Sequence, residues 1–223
     1  MSILLLHGLG ATGAVWRGFD GLAPDLPGHG SAAWDPPYTF ERHAEAVLPM
    51  LPDEPVAVIG HSMGGVVGLV LAAMAPERVV KVVGLGIKVT WSDEDVARAS
   101  ALAAKPPRTF SSRDEAVDRF LRVSGLEGVI GPGDLLADVG VVAEGGRWRL
   151  AQDPRTFGVS APDMPGLLSA VTCPVRLARG ERDPLVSHAE LAELVPEPMT
   201  LPNLGHNAHV ESPEAIMRLL DRQ

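Results

Sequence analysis

Val56-Ala57-Val58-Ile59-Gly60-His61-Ser62-Met63-Gly64-Gly65 is the stretch on which the fold turns. Val56 to Ile59 is a continuous apolar run rich in β-branched residues, the pattern of a strand buried on both faces. Met63 to Ala75 is a helix-length run of small and aliphatic residues, closed by Pro76. Ser62 therefore sits on a tight strand-to-helix turn between two glycines, the geometry of a nucleophile elbow. Such a turn is strained and brings backbones close, so a Cβ at Gly60 or Gly64 would clash. The hydroxyl then projects above the sheet edge, at the positive end of the following helix.

The pentapeptide Gly60-His61-Ser62-Met63-Gly64, a G-x-S-x-G match, is weak on its own. With 24 Gly and 12 Ser in 223 residues, chance supplies it in roughly one such chain in seven. Its neighbours in the chain decide. Ile3–Leu6 reads as a buried strand, followed by a loop from His7 to Gly13. Gly21 to Leu26 reads as a weaker strand that ends in the turn-rich loop Asp25-Leu26-Pro27-Gly28-His29-Gly30. Thr39 caps a helix running to about Leu51, and Val79–Leu85 is a further strand. Short apolar strands alternating with helices indicate a parallel sheet covered on both faces.

After Ile87 the alternation stops. Between about Lys88 and Ala170 no strand-like run of comparable strength appears, and the helix signals are Ser92 before Asp93-Glu94-Asp95 and Ser112 with Glu115. Residues 88–170 thus read as a helical insertion over the sheet, with 1–87 and 171–223 as the core. Trp91, Phe110, Phe120, Trp148, Phe157 and Met164 lie in the insertion, mostly for its own packing, with one or two available to line a pocket above Ser62. The sheet pattern returns at Pro174–Ala178 and Met199–Leu201. A capping box, Ser187 with Glu190, opens a helix between those strands, and Ser212-Pro213 opens the last one.

The length suits one large α/β domain with an insertion. The 46% of hydrophobic residues is normal for a soluble globular protein, and a formal charge of −9 argues against nucleic acid or an anionic membrane surface as partner. Met1 to Leu6 lacks a basic flank and is too short for a signal peptide or membrane span. The single cysteine, Cys173, excludes an internal disulfide and reads as a small buried hydrophobe. The expected compartment is the cytoplasm, and the expected partner is a small-molecule substrate.

A serine hydroxyl needs a base within hydrogen-bond reach, and the base a carboxylate to hold its tautomer. Asp183, in the loop after Val175–Ala178, and His206, in the loop after Met199–Leu201, are the C-terminal candidates. All three residues follow strand C-termini, where open α/β sheets place their sites. Here the chain resembles the α/β-hydrolases. His7-Gly8-Leu9-Gly10 resembles the family's oxyanion loop, and Asp25–Gly30 its D-x-P-G-H-G turn. Gly180-Glu181-Arg182-Asp183 resembles the acid loop, and Gly205-His206 through Pro213-Glu214 the terminal histidine loop.

The resemblance implies an α/β-hydrolase fold, N-terminally trimmed and six-stranded, with a serine-nucleophile esterase-like activity. It implies Ser62 as nucleophile, His206 as general base, Asp183 as orienting carboxylate, and the backbone N–H groups of Leu9 and Met63 as oxyanion hole. His209 competes with His206 for the base, while His7, His29 and His61 read as hydrogen-bonded structural residues. Gly8–Gly13 also matches G-x-G-x-x-G, but the chain returns to strand too soon for a dinucleotide-binding unit. No spacing suggests a metal, and no cofactor is implied. The expected reaction is hydrolysis of a small or medium apolar carboxylic ester. C–C bond hydrolase, lactonase, thioesterase and triad-using lyase remain open on the same pattern, as does a non-enzymatic receptor.

Overall fold

The computed structural model describes residues 2–221. From β1 (Ser2–Leu6) the chain passes through a short 3-10 turn at Gly13–Trp16 to α1 (Phe40–Val47), β2 (Val56–His61), α2 (Met63–Met74) and β3 (Val79–Leu85). The 88–170 segment carries α3 (Asp93–Ala103), β4 (Thr109–Phe110), α4 (Arg113–Val123), α5 (Leu135–Val139), β5 (Val141–Glu144), β6 (Arg147–Leu150) and α6 (Met164–Ala170). Then follow β7 (Val175–Gly180), α7 (His188–Ala192), β8 (Met199–Leu201), α8 (Ala208–Glu211) and α9 (Pro213–Asp221).

The main sheet is wholly parallel, in the order β1-β2-β3-β7-β8. Leu4, Val58, Val82 and Val175 form one row across it. Because side chains alternate along a strand, each strand feeds two cores. Leu4, Leu6 and Val58 pack with α1, α2 and α6 on one face. Leu5, Ile59 and Val83 pack with α4 and α9 on the other. α2 is apolar on every side, and its residues from Met63 to Ala72 are all buried, as expected for a helix enclosed within a domain. The second core runs on without a break into Phe110, Phe120 and Leu136 of the 88–170 segment.

Three expectations are corrected. Gly21 to Leu26 is not a strand, so the main sheet has five strands among the described residues rather than six. Leu22 alone pairs with β1, exchanging 2.8 Å bonds with Ile3 and Leu5, and Pro24 then has no N–H to continue the ladder. The 88–170 segment is also not purely helical. It holds a three-stranded antiparallel sheet, β4-β6-β5. Gly145 and Gly146 supply the two positive φ angles, 57° and 75°, of the tight turn joining β5 to β6. Cys173, expected to be buried, is only partly so, lying against the first core.

Local signals elsewhere match. Thr39 accepts the Arg42 N–H at the start of α1, which ends at Val47 and continues as a 3-10 turn to Met50. Ser92 with Asp95 and Ser187 with Glu190 form complete capping boxes. Ser112 caps α4, but Glu115 turns its carboxylate back to Ser111 instead.

Candidate active site

Ser62 has φ 50° and ψ −117°, a conformation that a residue with a side chain adopts only when its surroundings enforce it. The enforcement is visible. A Cβ on Gly60 would stand 2.3 Å from the Gly64 oxygen, and one on Gly64 would stand 2.3 Å from the Leu6 oxygen. β2 and α2 are therefore pressed together and onto β1, and Ser62 is the residue left at the corner.

Asp183 and His206 arrive from the ends of β7 and β8. The His206 Nδ1 lies 2.9 Å from Asp183 Oδ2. The Asp183 side chain is fully buried, whereas His206 retains 16% exposure. The second Asp183 oxygen accepts the Leu185 N–H at 2.9 Å. Arg179 ties the same loop down by donating to the carbonyls of Asp183, Val186 and Glu181. With both oxygens engaged, the carboxylate is fixed in direction, and it aligns the imidazole so that Nε2 is the free ring nitrogen.

Ser62, His206, Leu9 and Met63 all line one cavity of about 310 Å³. Neither the Leu9 N–H nor the Met63 N–H donates to another described residue. For Met63 this follows from its place in the first turn of α2, where helix N–H groups have no partner within the helix. The loop from His7 to Gly13 is held independently. The His7 Nδ1 meets the Gly8 carbonyl at 2.8 Å, its Nε2 accepts the Leu26 N–H at 2.9 Å, and Asp25 accepts the Gly13 N–H. The G-x-G-x-x-G match thus ends in a single 3-10 turn, not in a helix N-terminus.

His209, the rival base, is fully buried between the Trp16 and His61 rings, at 4.5 and 4.4 Å. Burial first, then the neighbouring His206 and His7, push it down to about 3. It does not itself line the cavity. His61 donates from Nε2 to the His206 carbonyl at 3.0 Å, and burial, then the His209 and His206 rings, keep it well below the usual imidazole range. It therefore acts as a neutral strut under the histidine loop. His29 is likewise buried, with Nδ1 3.2 Å from the Pro27 carbonyl.

Several contributors carry no signal in the sequence pattern. Phe40 at the start of α1, Val123 at the end of α4, Val159 and Leu185 line the cavity, together with Trp91, an apolar residue of the 88–170 segment. Phe110, Phe120 and Met164 are core instead. Asn207 donates to the Ser124 and Gly125 carbonyls at 3.2 and 2.9 Å, joining the histidine loop to the end of α4. Among the described residues no three His, Cys, Asp or Glu side chains are grouped to hold a metal ion. No described helix is long and apolar enough to cross a membrane.

A family model described as the alpha/beta hydrolase family matches residues 3–219. Lipase LipV of Mycobacterium tuberculosis (strain ATCC 25618 / H37Rv) is 34% identical over 115 residues, 47% of this chain and 44% of that protein. The match thus spans less than half of that relative. Esterase Rv0045c of the same organism is 27% identical over 248 aligned positions, covering 98% of this chain and 80% of that protein. The crystal structure of E-2-(acetamidomethylene)succinate hydrolase superposes with a TM-score of 0.81 at 23% identity, covering 99% of this chain and 91% of that one.

Proposed function

The chain belongs to the alpha/beta hydrolase family, and from that membership we propose that it is a carboxylic ester hydrolase acting through an acyl-enzyme. The observation that carries the reading is one arrangement. An imidazole held by a buried carboxylate at 2.9 Å lines the same apolar cavity as a serine in a strained conformation. The esterase and lipase names of LipV and Rv0045c support the same class.

In this reading the Ser62 hydroxyl oxygen attacks the ester carbonyl carbon while its proton passes to His206 Nε2. Asp183 keeps the other proton on Nδ1 and stabilises the imidazolium that forms. The carbonyl oxygen, now an anion, takes the N–H groups of Leu9 and Met63, two backbone donors with no other described acceptor. Collapse of the tetrahedral intermediate breaks the C–O bond, and His206 returns its proton to the departing alkoxide. Water then attacks the acyl-Ser62 carbonyl with His206 as base, releasing the carboxylic acid and restoring the serine. Phe40, Val159, Leu185 and Trp91 give the cavity mostly apolar walls, so the acyl or alkyl group is small to medium and apolar where it meets them. Residues 88–170 supply Trp91, Val123 and Val159 and act as its cap.

Ser62→Ala tests this. With a panel of 4-nitrophenyl esters of graded acyl length, the variant is expected to lose turnover to the uncatalysed level while its thermal unfolding midpoint stays within about 2 °C of the parent. Ester cleavage retained by Ser62→Ala overturns the assignment.

A further inference from the structure

A second cavity, of about 180 Å³, adjoins the first, and Val123 stands in the wall of both. Its character is different. Lys105, Arg108, Arg119 and Arg149 line it together with apolar side chains such as Phe110 and Phe157, and no carboxylate does. Such a grouping is unexpected on a chain of formal charge −9, because like charges gathered at low-dielectric walls repel one another unless an anion joins them.

The cations are only partly compensated from within. Among the described residues, only Arg149 of the four is in an ion pair, with Glu144 at 3.0 Å. Glu115 and Asp118 border a neighbouring depression that Arg108 and Arg119 also touch. Glu115 accepts the Ser111 hydroxyl and N–H, which with the Arg108 charge hold its carboxyl below the usual range, so it offsets Arg108 in part. Arg108 is stacked over Phe110 at 4.9 Å, whereas Arg149, over Trp34 at 4.5 Å, already donates to Glu144 and to the Leu150 carbonyl. Propped on Phe110, the Arg108 guanidinium presents a planar fork of donors, suited to a carboxylate or phosphate.

The placement relative to Ser62 gives the cavity a use. Arg119 and Val123 are four residues apart on α4, so they share one helix face. A chain leaving the Ser62 cavity across Val123 meets Arg119 next. We propose that this second cavity receives the anionic end of the substrate, making the preferred substrate an ester that carries a carboxylate or phosphate on a short apolar chain. The inference rests on the ester-hydrolase reading and adds to it a substrate class.

Binding is read first, without chemistry. Ser62→Ala protein is titrated calorimetrically with monomethyl suberate, with octyl phosphate, and with neutral methyl octanoate. The anionic probe that binds tighter identifies the head group. Adding Arg108→Gln and Arg119→Gln to the Ser62→Ala protein is expected to weaken it at least tenfold, and 0.5 M salt is expected to do likewise. Methyl octanoate binding is expected to be unchanged. In the otherwise native enzyme, the same two arginine substitutions are expected to raise KM for the anionic half-ester and leave neutral ester turnover as it was. Anion binding that is equal with and without the two arginines overturns the proposal. Arginine-dependent binding, together with a native enzyme that cleaves no ester, leaves the anion site standing and overturns only the ester-hydrolase reading.

Discussion

Asp183 shows how much chemistry one side chain's hydrogen bonds determine. One oxygen accepts from Leu185 N–H and the other from His206 Nδ1. In Asp183→Asn the amide oxygen is expected to keep the Leu185 bond, which turns the NH2 group toward Nδ1. The imidazole then has to accept there and carry its proton on Nε2, where it can no longer take one from Ser62. Turnover is expected to fall on the order of 10⁴-fold with little change in thermal stability, measured as kcat against the unfolding midpoint. A loss below tenfold contradicts the orienting role. Ser62, Asp183 and His206 are legible in the sequence because each sits just after a strand end in a recognisable loop. The His61 strut and the Asn207 tether are not, since their partners lie 145 and 82 residues away in sequence, and a single sequence carries no sign of such pairings.

At the scale of elements, the buried parallel strands are the most readable feature. A strand covered on both faces is a run of apolar residues, and β2, with six buried residues in succession, is the clearest case. The small sheet β4-β6-β5 is far harder to read because its strands are short and half-exposed, and β6, Arg147-Trp148-Arg149-Leu150, alternates in polarity. Gly145-Gly146 between two such four-residue runs is the one hairpin signal there. The cavity lining is unreadable for another reason: Phe40, Val123, Val159 and Leu185 come from four separate places in the chain. Capping, by contrast, is local. Ser187 caps α7, just beyond the Asp183 loop, and accepts the Glu190 N–H. Ser187→Ala is expected to cost about 1 kcal/mol of stability, read by urea denaturation. Activity of the folded variant is expected to stay near that of the parent, because Arg179 and Leu185 hold Asp183 independently.

The molecule as a whole holds an unusual load of neutral imidazole. His7, His29, His43, His61 and His209 are buried, and burial is the first cause of the lowered pKa of each. His43 is pushed down to about 4 from 6.5, with both ring nitrogens unpartnered. Unfolding frees these rings to take protons below pH 6.5, so the unfolded state binds more protons there and stability rises with pH. Their contribution is present above 6.5 and is lost as the pH falls toward the folded values. Each fully titrating ring adds up to about 1.4 kcal/mol per pH unit to the slope. Urea denaturation at pH 7.5 and 5.0 is expected to show a fall of several kcal/mol, and His43→Leu is expected to flatten it. Equal stability at the two pH values contradicts this.

The most direct measurement on the intact chain is its mass after treatment with a fluorophosphonate, which reacts with an activated serine oxygen. A single phosphonyl adduct on a peptide containing Ser62, absent from Ser62→Ala and greatly slowed in Asp183→Asn, is the expected result. An unmodified native protein, or an adduct that persists in Ser62→Ala, contradicts the assignment of Ser62 as an activated nucleophile.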